Sequence, residues 1–235
     1  MKALVAPLVL VMGCGRDVEM YPVNPGGGGG PSGTGMADAA ITIDGSNTIL
    51  GRVCLIADAR TPTACASSGA DALTVTLGSA TATPAADGTF SIARPSGSGL
   101  VWRVSGTDIV GAAMEEASGT TIPAIGAALY ADMTTTNSAI NNNGTGAIIA
   151  QLTHGGAALV NATALPSPVP AGNVYYDGIS AIVWSLDVTG SFGVVWVPGM
   201  TPGTAQLTID GTAQGTITGI PVFADTVTFV AAEIP

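Results

Sequence analysis

The chain has 235 residues, sixteen acids against six Lys and Arg, and a net charge of -10, with only 9% of positions charged and 47% hydrophobic. That length suits one large or two ordinary domains, and the apolar content excludes an acidic disordered tail. Cations this sparse cannot build the basic patch that phosphate neutralisation requires, so nucleic acid is excluded as a partner.

In chain order, residues 1–13 read as an export signal: Lys2 precedes the apolar stretch Ala3 to Val11, which is far short of the roughly 20 residues a membrane-spanning helix needs. The stretch ends in Val11-Met12-Gly13-Cys14, which resembles the bacterial lipobox, with a small residue directly before Cys. That resemblance implies diacylglyceration of Cys14, removal of the peptide before it, and a membrane held through N-terminal lipid; each buried methylene adds about 0.8 kcal/mol. Gly15 rather than Asp follows, which by the same resemblance points to the outer membrane. A plain secretory signal with an incidental Cys14 is the alternative. Residues 14–40 hold Pro22, Pro25, the run Gly26 to Gly30, and Pro31. This composition buries nothing and predicts a flexible tether with a reach of about 25 to 30 Å.

From Ile41 onward the dominant signal is period-two alternation. Leu73, Val75 and Leu77 alternate with Thr74 and Thr76, as in a half-buried strand. Strands are also predicted at Gly51 to Ala57, Phe90 to Ile92, Leu100 to Val104, Ile148 to Leu152, Ile182 to Val188, Phe192 to Val197, Gln206 to Ile209 and Val227 to Val230. Many short strands with Gly, Pro and Asp between them predict an all-β fold of antiparallel sandwiches.

The features also recur in order. A strand opening at Gly51, the turn Asp87-Gly-Thr-Phe90 and a Pro/Gly turn before Trp102 are echoed by Gly146, Thr189-Gly-Ser-Phe192 and a Pro/Gly turn before Leu207. Gly88 and Gly190 are expected to supply positive φ, with Phe90 and Phe192 entering the core. This pattern is similar to the carboxypeptidase regulatory-like family, whose fold is a seven-stranded transthyretin-like sandwich. The resemblance implies two tandem copies, over 41–118 and 144–235, and brings no catalytic residues. Between them, over 119–143, Ile125, Leu129 and Met133 fall at helical spacing after Pro123 and predict one short connecting helix.

Few residues offer chemistry. Cys54 and Cys65, with ten residues between them in an exported chain, read as a disulfide. His154 is the single histidine, and Gly155-Gly156 after it suggests an exposed hairpin turn. One His cannot assemble a zinc site, so no metal and no cofactor are expected. A Ser-His-Asp hydrolase is formally open, but no Gly-x-Ser-x-Gly elbow is present. The acids are scattered singly beside glycines and strand ends, as turn formers are.

Trp102, Trp184 and Trp196 keep period with apolar neighbours and read as core. Tyr175 and Tyr176 close a strand before Asp177-Gly178; since successive strand residues face opposite ways, one of them is expected to be exposed and available for ligand stacking. The reading is therefore a non-catalytic, lipid-anchored envelope protein whose partners are envelope proteins or glycans. Carbohydrate binding is the first alternative and hydrolysis the second.

Overall fold

The structure is a computed structural model that describes residues 47–66 and 68–235. Cys14, the signal segment 1–13 and the tether 14–40 lie outside the described residues. The described residues group as one compact unit. Its strands are β1 (Thr48–Ile56), β2 (Leu73–Leu77), β3 (Ala80–Ala82), β4 (Thr89–Ala93), β5 (Val101–Gly106), β6 (Gly111–Glu115) and β7 (Thr121–Ile125). After helix α1 (Ala127–Thr136) come β8 (Gly146–His154), β9 (Ala157–Ala158), β10 (Thr163–Ser167), β11 (Tyr175–Tyr176), β12 (Val194–Met200), β13 (Gly203–Asp210), β14 (Gly215–Val222) and β15 (Thr226–Glu233).

The fold is all-β and built of sandwiches, as the alternation predicts. A nine-stranded sheet in the order β11-β12-β8-β15-β6-β5-β2-β3, with β9 on β8, forms the middle layer. Two three-stranded sheets, β4-β1-β7 and β10-β13-β14, complete it. Alternate residues of the middle strands enter different cores. From β8 and β12, Ile149, Val194 and Trp196 pack with Val53, Phe90 and Ile122 of the β4-β1-β7 side. Their neighbours Ile148, Ala150, Val195 and Val197 pack with Ala164, Leu207 and Ile220 of the β10-β13-β14 side. The result is two sandwich cores sharing one middle sheet.

The C-terminal strand joins the halves. β15 pairs in parallel with β6 on one side (Val227 opposite Ala112) and with β8 on the other (Val227 opposite Ala147). Residues 119–143 thus connect two parts of one sheet. Nor do the strands expected to open at Gly51 and Gly146 correspond: β1 begins already at Thr48, with Gly51 inside it, and is the middle of an outer sheet, whereas β8 does open at Gly146 and lies inside the nine-stranded one.

The turn before Phe90 forms as read. Gly88 has φ 89°, a Cβ there would lie 2.1 Å from Val53 O, and Asp87 Oδ1 accepts from Thr89 N at 3.0 Å. In the second half the positive φ falls at Gly193 (65°) and not at Gly190, because the carboxylate of Asp177 holds the Gly190 N–H and shapes that loop.

The predicted helix from Pro123 begins later. Thr121–Ile125 is strand β7, parallel to β1 with Pro123 opposite Cys54; as an edge strand it tolerates a residue without an N–H. Helix α1 then buries Met133 and Tyr130, with Leu129 half-buried against the same core. The predicted strand Ile182 to Val188 is a loop that pairs with β11 at the isolated bridge of Tyr176 with Ser185.

Candidate functional site

Cys54 and Cys65 are joined, with Cα atoms 4.7 Å apart. Cys54 is in β1 and wholly buried, so the bridge pins the segment between the two cysteines to the first core. Within that segment Asp58 and Arg60 form an ion pair, Arg60 Nη2 donating to Asp58 Oδ2 at 2.6 Å. Burial pushes the Asp58 carboxyl up, but the hydrogen bonds and charge of Arg60 outweigh it and hold the group below its ordinary value. Arg60 Nη1 donates to Gly178 O at 2.8 Å, and the guanidinium carbon lies 4.9 Å from the centre of the Phe192 ring. One arginine of the first half is thereby fastened to two loops of the second.

Beneath that contact lies Asp177, 4% exposed. Its Oδ1 accepts from Gly190 N and Val194 N at 2.9 Å each, and Oδ2 accepts from Phe192 N at 2.8 Å. A buried carboxylate requires such donors, since taking it from water uncompensated is prohibitively costly. Asn137, after α1, plays a similar part. Its Nδ2 donates to Met133 O (2.7 Å) and Ile182 O (2.8 Å), its Oδ1 accepts from Trp184 N (2.9 Å), and its backbone O accepts from the Tyr175 hydroxyl (3.1 Å). Reading the sequence singled out neither as a site. Asp177-Gly178 passes for a surface turn, and nothing local marks Asn137.

The expected exposure of Tyr175 or Tyr176 is corrected: both are buried, at 3% and 4%. The two rings do point to opposite faces of the sheet, but each face is covered by its own core. Tyr176 Oη accepts from Ala164 N at 3.0 Å, and the Tyr175 ring packs on Trp196 with centroids 4.9 Å apart. Neither presents a face to a sugar. Trp102, Trp184 and Trp196 are buried as predicted. Burial pushes the Tyr130 hydroxyl up to about 12.

His154 is exposed where β8 turns into β9 through Gly155 and Gly156, both at positive φ, and its Nδ1 lies 2.8 Å from Ile234 O. Among the described residues no three His, Cys, Asp or Glu side chains gather as a metal cage would require.

Two surface clefts flank the disulfide-closed segment. One of about 300 Å³ is lined by Leu55, Ile56, Gly69, Leu73, Asp108 and Ile109 among others; Asp108 is the single carboxylate in its lining. The other, about 240 Å³, lies between Pro62, Met114, Pro123, Gln151, Phe229 and Val230, with no titratable side chain in its lining. Both are at or below the small end of ligand pockets. Apolar lining with one isolated carboxylate can bury apolar groups but supplies no nucleophile with an adjacent base.

Comparison with known proteins finds no matching family model, no matching curated protein and no matching solved structure.

Proposed function

We propose that the chain is a non-catalytic lipoprotein of the cell envelope, carried to the outer membrane by acylation of Cys14, whose fused sandwiches act as a structural or interaction module. The observation that carries this reading is the Cys54–Cys65 disulfide. A structural disulfide belongs to an oxidising compartment, which is where an export signal ending in a lipobox would deliver the chain. The deployment of the buried and half-buried polar side chains supports the non-catalytic part. Asp177, Thr189 and Asn137 are bonded to backbone groups that hold loops in place, as expected of groups whose role is to order the fold. The likeness to carboxypeptidase regulatory-like sandwiches, which bring no catalytic residues, agrees with this. No helix of the described residues is long and apolar enough to cross a membrane, so in this reading attachment is through lipid alone. The test is metabolic labelling with palmitate in a bacterial host: label enters the wild-type chain and is lost in Cys14→Ser. Label that persists in Cys14→Ser overturns the anchor.

A further inference from the structure

The turn that leads into β8 carries a chemistry of its own. Asn143-Gly144 is the single Asn-Gly step in the sequence, and both residues are exposed. Such a step is the pairing in which a backbone nitrogen most easily reaches a side-chain amide, because glycine has no Cβ to obstruct the approach. The turn is well defined: Thr145 N donates to Asn142 O at 3.0 Å, and Gly144 adopts φ 80°. It is also clasped from across the fold. Gly144 N donates to Asp225 Oδ1 at 3.0 Å, and Asp225 N donates back to Thr145 O at 2.8 Å.

We propose that Asn143 is a site of spontaneous deamidation whose rate is held down by Asp225. Gly144 N bonds to Cγ of Asn143, the Cγ–Nδ2 bond breaks, and Nδ2 leaves as ammonia carrying the proton given up by the Gly144 N–H. The product is a five-membered imide. Water then adds to either imide carbonyl and leaves aspartate or isoaspartate at position 143, with no change in oxidation state. Cyclisation requires Gly144 N to lose its proton. A carboxylate that accepts this hydrogen bond stabilises the protonated form, and its negative charge opposes the developing anion. Asp225 is therefore a guard on the nucleophile. The other asparagines in exposed turns lack the glycine: Asn141 and Asn142 precede Asn, and Asn161 precedes Ala. Conversion adds a carboxylate next to Asp225 in a chain already at -10, and as isoaspartate it lengthens the backbone just before the strand that pairs with β15 and β12.

The experiment incubates the full chain at mildly alkaline pH and follows each asparagine by peptide mapping, with isoaspartate resolved by chromatography. Asn143 is expected to convert several-fold faster than Asn141, Asn142 or Asn161. Asp225→Asn retains an acceptor and tolerates the φ of 52° at that position but removes the charge, so it should speed conversion at Asn143 several-fold and leave the other sites unchanged. As a check that needs no variant, the urea-unfolded chain should convert Asn143 faster than the native one. Conversion at Asn143 no faster than at its neighbours overturns the site. An Asp225→Asn rate equal to or below wild type, or a native rate equal to or above the unfolded one, overturns the guard and with it the proposal.

Discussion

Asp177 offers the most direct way to weigh what holds the second half in shape. Asp177→Ala removes an acceptor shared by three backbone N–H groups at 2.8 to 2.9 Å, in a site where the carboxylate itself is 4% exposed. A hydrogen bond to a charged group is worth about 1.5 to 3 kcal/mol, and a buried donor left unpaired costs about 1 to 3 kcal/mol. The losses are not additive, because the loop can open and admit water. The expected destabilisation is therefore about 3 to 5 kcal/mol, the range seen when one side of a buried polar arrangement is deleted. Asp177→Asn separates geometry from charge. It keeps an oxygen toward Gly190 and Val194 but turns an NH₂ toward the Phe192 N–H, so about half of that cost is expected. Urea unfolding followed by tryptophan fluorescence reads this as a lower midpoint at unchanged slope, by roughly 2 M for Ala at a slope of about 2 kcal/mol/M. If both variants unfold within about 0.5 kcal/mol of wild type, the carboxylate does not organise the loop.

Replacing Cys54 and Cys65 together by Ser opens a loop of ten intervening residues and should lower stability by about 2 to 3 kcal/mol in the chain-entropy model, read by the same urea midpoint. The carboxyls of Asp58 and Glu116 are both held below their ordinary values. For Asp58 the arginine outweighs a desolvation that works the other way; for Glu116 the hydrogen bond from Arg94 is the leading cause. Their contribution is full above the unfolded carboxyl range of about 4 and is lost as pH falls through the depressed folded values. Arg60→Met should therefore flatten the acid limb of a stability-against-pH curve, and an unchanged limb would refute the Asp58 coupling. Tyr130 works at the other end. Its stabilisation is full below an unfolded value of about 10 and is lost as pH rises through about 12, so the late-ionising tyrosine signal in an ultraviolet titration should be smaller in Tyr130→Phe than in wild type.

Much of the fold is legible in the sequence wherever one face of a strand is apolar and the other polar. Leu73–Leu77 has alternating burial, and its threonines mark the less buried face directly; Gln206 to Ile209 falls inside β13 for the same reason. Legibility fails where the period is weak or misleading. β6 is built of Gly111, Ala112, Ala113, Met114 and Glu115, with no β-branched or aromatic residue to signal a strand, although it sits in the interior of the nine-stranded sheet. β7 was masked by the helical spacing of Ile125, Leu129 and Met133, of which Ile125 belongs to a strand and Met133 to the helix. Ile182 to Val188 has strand composition, yet Asn137 takes the backbone N–H of Trp184 and keeps the segment out of a ladder. Pairing was beyond reach altogether. Val227 lies next to Ala112 in a parallel ladder, and no local pattern couples residues so far apart. The site readings divide the same way. The disulfide followed from composition and compartment, whereas the burial of both tyrosines depends on a second sheet covering the opposite face.

Strand β15 makes one body of the two halves, and limited proteolysis of the native chain with a broad-specificity protease probes that union. Strands β6 and β8 flank the connector and are both bonded to β15, so cutting within 119–146 should be slow, and one stable fragment spanning β1 to β15 is predicted. Early cleavage between Gly119 and Gly146, with two halves that separate and each remain resistant, would contradict it.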